Sequence, residues 1–158
     1  MEESIINFSK KHNLNYIILR FFNIYGLGQS LQYAGVITKF LKNIGEGKPL
    51  EIYGDGNQTR DFIHIDDAIK CINLAIKNLE GKTGRIYNIG SGKNTSILEL
   101  ANLLLKLSGK NLPIHFKSII KGDIIHSKTS INLAKVELCF ELKISLQEGL
   151  SRFLKDCI

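Results

Sequence analysis

Only three cysteines, Cys71, Cys139 and Cys157, occur in 158 residues. They are widely spaced, form no Cys-x-x-Cys pair and have no histidine at ligand spacing, so neither a disulfide framework nor a zinc site is suggested. A reduced, cytoplasmic protein is the expectation. Long apolar runs are missing too. The longest stretches, such as Leu103-Leu104-Leu105, fall far short of a bilayer span, and Met1-Glu2-Glu3 is acidic where a secretory signal is basic. No membrane partner is expected. Proline is scarce, at 2 residues against 14 glycines, and the composition is that of neither a collagen nor a disordered tail.

What is present suits one globular unit: 44% of residues are hydrophobic and 23% charged. A chain of this length buries roughly two-thirds of its unfolded surface, so a single core is enough to fold it without metal or disulfide. Lysine and arginine number 21 against 15 acidic residues, a net charge of +6. The lysines are scattered with no run of one sign, which reads as solvated faces and not as a nucleic-acid footprint. A mild positive field still favours a phosphorylated small molecule.

Along the chain, helical and extended patterns alternate. Ile5, Ile6 and Phe8 lie in a helix-type segment from Glu2 to His12 that starts without a cap and stops at Asn13-Leu14-Asn15. Tyr16 to Phe22 is an almost unbroken apolar run, the mark of a strand covered on both faces in a parallel sheet. A helix from Gly35 to Asn43, a strand from Leu50 to Tyr53 and an alternating stretch from Phe62 to Ile65 follow. Asp66 or Asp67 is the candidate cap of a helix with Ile69, Ile72, Leu74, Ala75 and Leu79 as its buried stripe. Arg85 to Gly90 reads as a second sheet strand. Ser96-x-x-Glu99 and Ser145-x-x-Glu148 are capping boxes for helices at Ile97 to Leu107 and at Leu146, Leu150, Phe153 and Leu154. A short strand at Ile114 to Phe116 and a helix at Leu133 to Leu138 lie between. With no repeat and no linker, residues 1–158 read as one α/β unit.

Three glycine turns follow strands: Tyr25-Gly26-Leu27-Gly28, Tyr53-Gly54-Asp55-Gly56 and Asn88-Ile89-Gly90-Ser91-Gly92. Glycine there admits positive φ and lets backbone amides approach a phosphate. None completes Gly-x-Gly-x-x-Gly, because Gln29-Ser30-Leu31 follows Gly28 and Lys93-Asn94-Thr95 follows Gly92. In Gly54-Asp55-Gly56-Asn57-Gln58-Thr59-Arg60-Asp61, an arginine after a polar loop can fork onto a diphosphate with Asp61 steadying it, or form an ordinary surface ion pair. His64, in an alternating run, reads as a structural histidine. Ser91 lacks the Gly-x-Ser-x-Gly elbow of a hydrolase nucleophile.

Taken in order, Leu19-Arg20-Phe21-Phe22-Asn23-Ile24-Tyr25-Gly26, then Tyr53-Gly54-Asp55-Gly56 running into Arg60-Asp61-Phe62-Ile63-His64-Ile65-Asp66-Asp67, then Tyr87-Asn88-Ile89-Gly90-Ser91-Gly92 resemble one family. It is the C-terminal half of the extended short-chain dehydrogenase/reductases, the NAD-dependent epimerases and dehydratases, with the UDP-glucose 4-epimerase group as the nearest likeness. The resemblance implies the C-terminal part of a Rossmann-type α/β fold with a small substrate-binding lobe. It also implies site roles. Asn23 binds the nucleotide-sugar through its amide, and Gly35 and Val36 start a helix that flanks the nucleotide. Glu51 and Tyr53 lie beside the uracil ring, Arg60 meets the diphosphate and Asp123 the ribose.

The likeness has gaps. Lys121-Gly122-Asp123-Ile124 and His126-Ser127 match a family segment whose arginine is here Ile120, a loss of roughly 1.5–3 kcal/mol, or about ten- to hundredfold in affinity. Ser130 stands for an aspartate, and Leu138-Cys139-Phe140-Glu141-Leu142 replaces Leu-Gly-Trp-x-Pro. The family's hydride chemistry needs bound NAD and a Tyr-x-x-x-Lys base. None of Tyr16, Tyr25, Tyr33, Tyr53 or Tyr87 has lysine four positions on, and Met1-Glu2-Glu3 resembles the helix just after that lysine. The expectation is therefore a UDP-sugar-binding portion that is inactive and binds no NAD alone. Its NAD-binding N-terminal half would come from another chain, and it would pair as a homodimer through helices of the sheet domain. A nonenzymatic nucleotide-sugar sensor, a gene remnant and part of a dehydratase or decarboxylase are the alternatives.

Overall fold

Glu2 and Glu3 in its first turn, and Lys10, Lys11 and His12 in its last, align helix α1 (Glu2–His12) with its own dipole. Met1 supplies no side-chain cap, and the helix ends on Asn13 in the left-handed region. The computed structural model describes residues 1–28, 35–127 and 129–157; Gln29-Ser30-Leu31 and Tyr33 lie outside them. In α1 only Ser9 is buried, and Ile5 and Phe8 are exposed.

Strand β1 (Ile17–Phe21) pairs in parallel with β6 (Arg85–Ile89), Ile17 opposite Arg85 and Phe21 opposite Ile89. The strand is half-buried and not covered on both faces: Arg20 points outward, where Glu2 of α1 holds it at 2.6 and 2.7 Å. After Phe22, whose N–H donates to the Ile89 carbonyl, the chain continues as β2 (Asn23–Tyr25) and changes partner to β5 (Phe62–His64), again in parallel. Asn23 thus opens a second strand instead of ending the first. β3 (Leu50–Tyr53) runs parallel to β8 (Ile114–Lys117), with Leu50 and Ile52 inward and Glu51 and Tyr53 outward. Two-residue strands β4 (Thr59–Arg60) and β7 (Thr95–Ser96) pair antiparallel. These last two are too short and polar to show any periodicity.

Helices α2 (Val36–Gly45), α4 (Ile97–Ser108) and α6 (Leu146–Cys157) enclose one core with β3, built on Phe40, Ile44, Leu50, Ile52, Leu100, Leu104 and Leu150. A second core joins β6 to α3 (Ile65–Lys77) and α5 (Asn132–Leu138) through Cys71, Tyr87, Ile89, Leu138 and Phe140. The Ser96–Glu99 capping box forms in full. At Ser145 only half of it forms: Glu148 N–H donates to Ser145 Oγ at 3.2 Å, while the Glu148 carboxylate takes Arg152 at 2.7 Å.

Helix α3 departs from the periodicity twice. Its cap is His64, whose Nδ1 accepts the Asp66 N–H at 3.2 Å, and neither aspartate serves. Asp67 is instead buried and accepts the backbone N–H groups of Lys143 and Ile144 at 3.1 and 3.0 Å. That attachment sets the rotation of the helix, so Ala68, Cys71 and Ala75 face the core. Ile69 and Ile72, expected inside, are 49% and 40% exposed. Small inward side chains let the helix pack closely on β1, β2, β5 and α5.

Helix α5 ends on Cys139 at φ 53, a left-handed position that costs a Cβ-bearing residue about 1 kcal/mol relative to glycine. Cys139→Gly is expected to raise the thermal midpoint by several degrees in a calorimetric scan, by about that energy. An unchanged or lower midpoint would show that the thiol makes up for the strain.

Candidate nucleotide-sugar site

A cavity of about 410 Å³ opens where β2, β3 and β4 meet the start of α2. All seven site residues read from the sequence line it: Asn23, Gly35, Val36, Glu51, Tyr53, Arg60 and Asp123. Its floor is apolar, made by the buried Tyr25, Ile37, Ile52, Phe62 and Ile97. Gly35, extended at φ −64 and ψ 176, caps α2 with no side chain, so the positive end of that helix meets the cavity. Along one rim, the strand alternation of β3 that buries Ile52 turns Glu51 and Tyr53 outward. Glu51 has the Lys117 ammonium at 3.2 Å. Gln58, which no sequence argument singled out, also lines the wall and donates to the Tyr53 carbonyl at 2.7 Å. Its only signal was its place in the polar turn before Arg60. Ile120, noted as a lost arginine, lines the cavity as well.

Arg60 is held differently from expectation. Its guanidinium donates to the carbonyls of Thr59 and Ile124 at 2.9 and 2.5 Å and to Asp123 Oδ1 at 2.5 Å. Asp61 does not steady it. The Asp61 side chain turns into the interior, fully buried, and accepts the Ser91 N–H and hydroxyl at 2.6 Å each and the Gly92 N–H at 2.9 Å. Successive residues of a strand face opposite ways, which is why neighbours in sequence do not pair here. Asp61 acts on Arg60 only through the backbone, by fixing the loop that leads into β7, the partner of β4. Gly90 makes this possible, since a Cβ there would lie 2.6 Å from Asp61 Oδ2. Asn23 donates its side-chain N–H to the Asp61 carbonyl at 3.1 Å.

Behind the cavity floor, Tyr25 packs edge-on against Phe62 and His64, with ring centroids 6.5 and 5.3 Å apart. Burial, and then the charges of Asp67 and Glu148, push the Tyr25 hydroxyl well above its usual pKa. His64 is buried and hydrogen-bonded, a structural residue as its pattern suggested.

The glycine turn after β6 offers no free cradle for a dinucleotide pyrophosphate. After β6, the Ser91 and Gly92 amides that could cradle a phosphate are taken by the Asp61 carboxylate, whose charge would repel one. That turn therefore does not fit the pyrophosphate of NAD. Among the described residues no group of three or more His, Cys, Asp or Glu could hold a metal ion, and no helix is long and apolar enough to cross a membrane.

The family model described as "NAD dependent epimerase/dehydratase family" matches residues 1–90. An uncharacterised UDP-glucose epimerase of Bacillus subtilis is 35% identical over 135 residues, which is 85% of this chain and 42% of that protein. Among solved structures, a UDP-glucose 4-epimerase from Thermotoga maritima with UDP-glucose superposes with a TM-score of 0.93 at 32% identity, covering 98% of this chain and 49% of that one. A UDP-glucuronic acid 4-epimerase from Bacillus cereus, in complex with UDP-glucuronic acid and NAD, gives 0.89 at 31% identity, with 99% and 50% covered. The chain thus spans about half the length of the proteins it matches. It belongs to the NAD-dependent epimerase/dehydratase family, with the Rossmann-type α/β fold of the extended short-chain dehydrogenase/reductases and UDP-sugar 4-epimerases among its relatives.

Proposed function

We propose that this chain is the UDP-sugar-binding portion of a UDP-glucose 4-epimerase-like protein, and that the 410 Å³ cavity receives the nucleotide diphosphate. The observation that carries the reading is the convergence in one cavity of a largely buried guanidinium, the positive end of α2, a flat aromatic wall and an apolar floor. Tyr53 offers its ring to the base, with Glu51 beside it. Arg60 binds the diphosphate through charge-assisted bonds. Asn23, Gly35 and Val36 flank the nucleotide, and Asp123 lies within reach of the ribose.

Alone, the chain does not epimerise. No Tyr-x-x-x-Lys base occurs in its sequence, and the amides of the glycine turn after β6 are taken by Asp61. The base and the Gly-x-Gly-x-x-Gly motif of the family lie outside residues 1–158. Strand β1 pairs with β6 and with no other described strand, leaving its outer edge to extend a parallel sheet into the segment that carries them. The exposed Ile5 and Phe8 of α1 suit homodimer formation.

Calorimetric titration with UDP tests the site. The chain is expected to bind UDP, and Arg60→Ala to weaken that binding about ten- to hundredfold and to lower the preference for UDP over uridine. Interconversion of UDP-glucose and UDP-galactose is expected to be absent with added NAD. A folded sample that gives no heat with UDP sinks the reading.

A further inference from the structure

The guanidinium best placed to receive phosphate is already engaged by its own chain. Asp123 Oδ1 accepts from Arg60 Nη2 at 2.5 Å, and the Ile124 carbonyl accepts from Nη1 at the same distance. The arginine side chain is 15% exposed and the aspartate 34%, so the pair is only partly screened by water. The charged residues of the cavity lining are Glu51, Arg60 and Asp123, one cation against two carboxylates. Ile120 adds an apolar surface and no charge. A diphosphate entering this cavity meets a guanidinium whose charge is already matched.

The segment that supplies Asp123 has the form of a movable arm. Asp123 follows Gly122 at φ 86, and its N–H closes a turn onto the Ile120 carbonyl at 3.1 Å. The side chains of Ile119, Ile120, Ile124 and Ile125 are all exposed, so the arm has little of its own apolar surface in the core. It is attached to the body chiefly by polar bonds: the two from Arg60 at its middle, and at its end the Thr59 N–H donating to the Ile125 carbonyl at 2.9 Å and the Ser127 N–H donating to the Thr59 carbonyl at 3.1 Å.

We infer that Asp123 is an intramolecular competitor for the phosphate subsite of Arg60, and that it sets how much a diphosphate adds to nucleotide binding. The inference rests on the nucleotide-sugar reading above. In the empty cavity the carboxylate neutralises the guanidinium. When a phosphate oxygen takes Nη2, the carboxylate is displaced, since two anions cannot share that donor without repulsion. The aspartate is then free to turn toward a ribose hydroxyl. The net gain from the diphosphate is the phosphate–arginine interaction less the internal pair that it breaks.

The experiment is calorimetric titration of uridine and of UDP into the wild-type chain, Asp123→Asn, Arg60→Ala, and the double variant. The readout is the ratio of the two dissociation constants, uridine over UDP. Any loss of a ribose contact weakens both ligands alike and cancels in that ratio. Asparagine keeps the size of the side chain and removes its charge, and a thermal melt checks that the variant is folded. The ratio is expected to rise about tenfold in Asp123→Asn, the worth of one charge-assisted bond no longer opposed. In the Arg60→Ala background, Asp123→Asn is expected to leave the ratio unchanged. A ratio that stays level or falls in Asp123→Asn, while the wild type binds UDP, overturns the competitor and leaves the nucleotide-sugar reading standing. Failure of UDP to bind to any of the four proteins overturns both.

Discussion

Asp61→Ala is expected to cost about 2–3 kcal/mol of stability, the worth of the hydrogen bonds that a buried carboxylate accepts. Three donors converge on this fully buried carboxylate: the Ser91 N–H, the Ser91 hydroxyl and the Gly92 N–H. Alanine removes their shared acceptor, and although Ser91 is half-buried and Gly92 exposed, so that water replaces part of the loss, each bond to a charged group is worth about 1.5–3 kcal/mol. In a urea titration the loss is a shift of the midpoint by about 1–1.5 M, for a slope near 2 kcal/mol per molar. Asparagine should not rescue it, because its amide N–H₂ would face N–H groups. Ser91→Ala should cost only about 1 kcal/mol, since it removes one donor and leaves the carboxylate paired. A midpoint within error of wild type for Asp61→Ala would mean that the loop after β6 is not held by this side chain.

Gly149→Ala is the second large effect, and its sign is opposite to the usual one. Within an exposed helix interior, glycine to alanine gains about 1 kcal/mol. In α6, a Cβ at position 149 would fall on the Tyr25 hydroxyl, with His64 Cδ2 2.8 Å away. Tyr25 is itself locked between Phe62 and His64, so it cannot retreat without disturbing the wall behind the cavity. Overpacking of this kind costs about 1–3 kcal/mol. Removing the hydroxyl should relieve part of it: Gly149→Ala in a Tyr25→Phe background is expected to be less damaging than in wild type, by about 1 kcal/mol or more in a double-mutant cycle. Additive effects of the two substitutions would show that the hydroxyl is not the obstacle.

Both predictions concern residues whose roles the linear pattern concealed. Helix positions, the apolar strand runs and the Ser96–Glu99 cap could be read directly, because each leaves a local trace in spacing or residue type. The strand pairs of Thr59 and Arg60 with Thr95 and Ser96 left none. Neither did the rotation of α3, which follows from the attachment of Asp67 to amides at 143 and 144, far along the chain. The site divides along the same line. Motif order brought seven residues to one cavity, yet the partners of Arg60 were misjudged. Adjacency in sequence suggested Asp61, while the fold delivers Asp123 from the other side of β4. Gln58 was passed over because a glutamine in a polar turn looks like any other turn residue.

No pair of strands among the described residues is a hairpin. Ile17 meets Arg85, Asn23 meets Phe62, Leu50 meets Ile114 and Thr59 meets Ser96. Topologies dominated by such distant partners fold slowly, because the entropy of closing each loop is lost before any ladder forms. During translation, at about 5–20 residues per second, β1 leaves the ribosome seconds before β6 exists. In that interval its unpaired backbone edge and apolar side chains are open to whatever nascent or misfolded strand comes near, and the yield of native protein depends on what shields them.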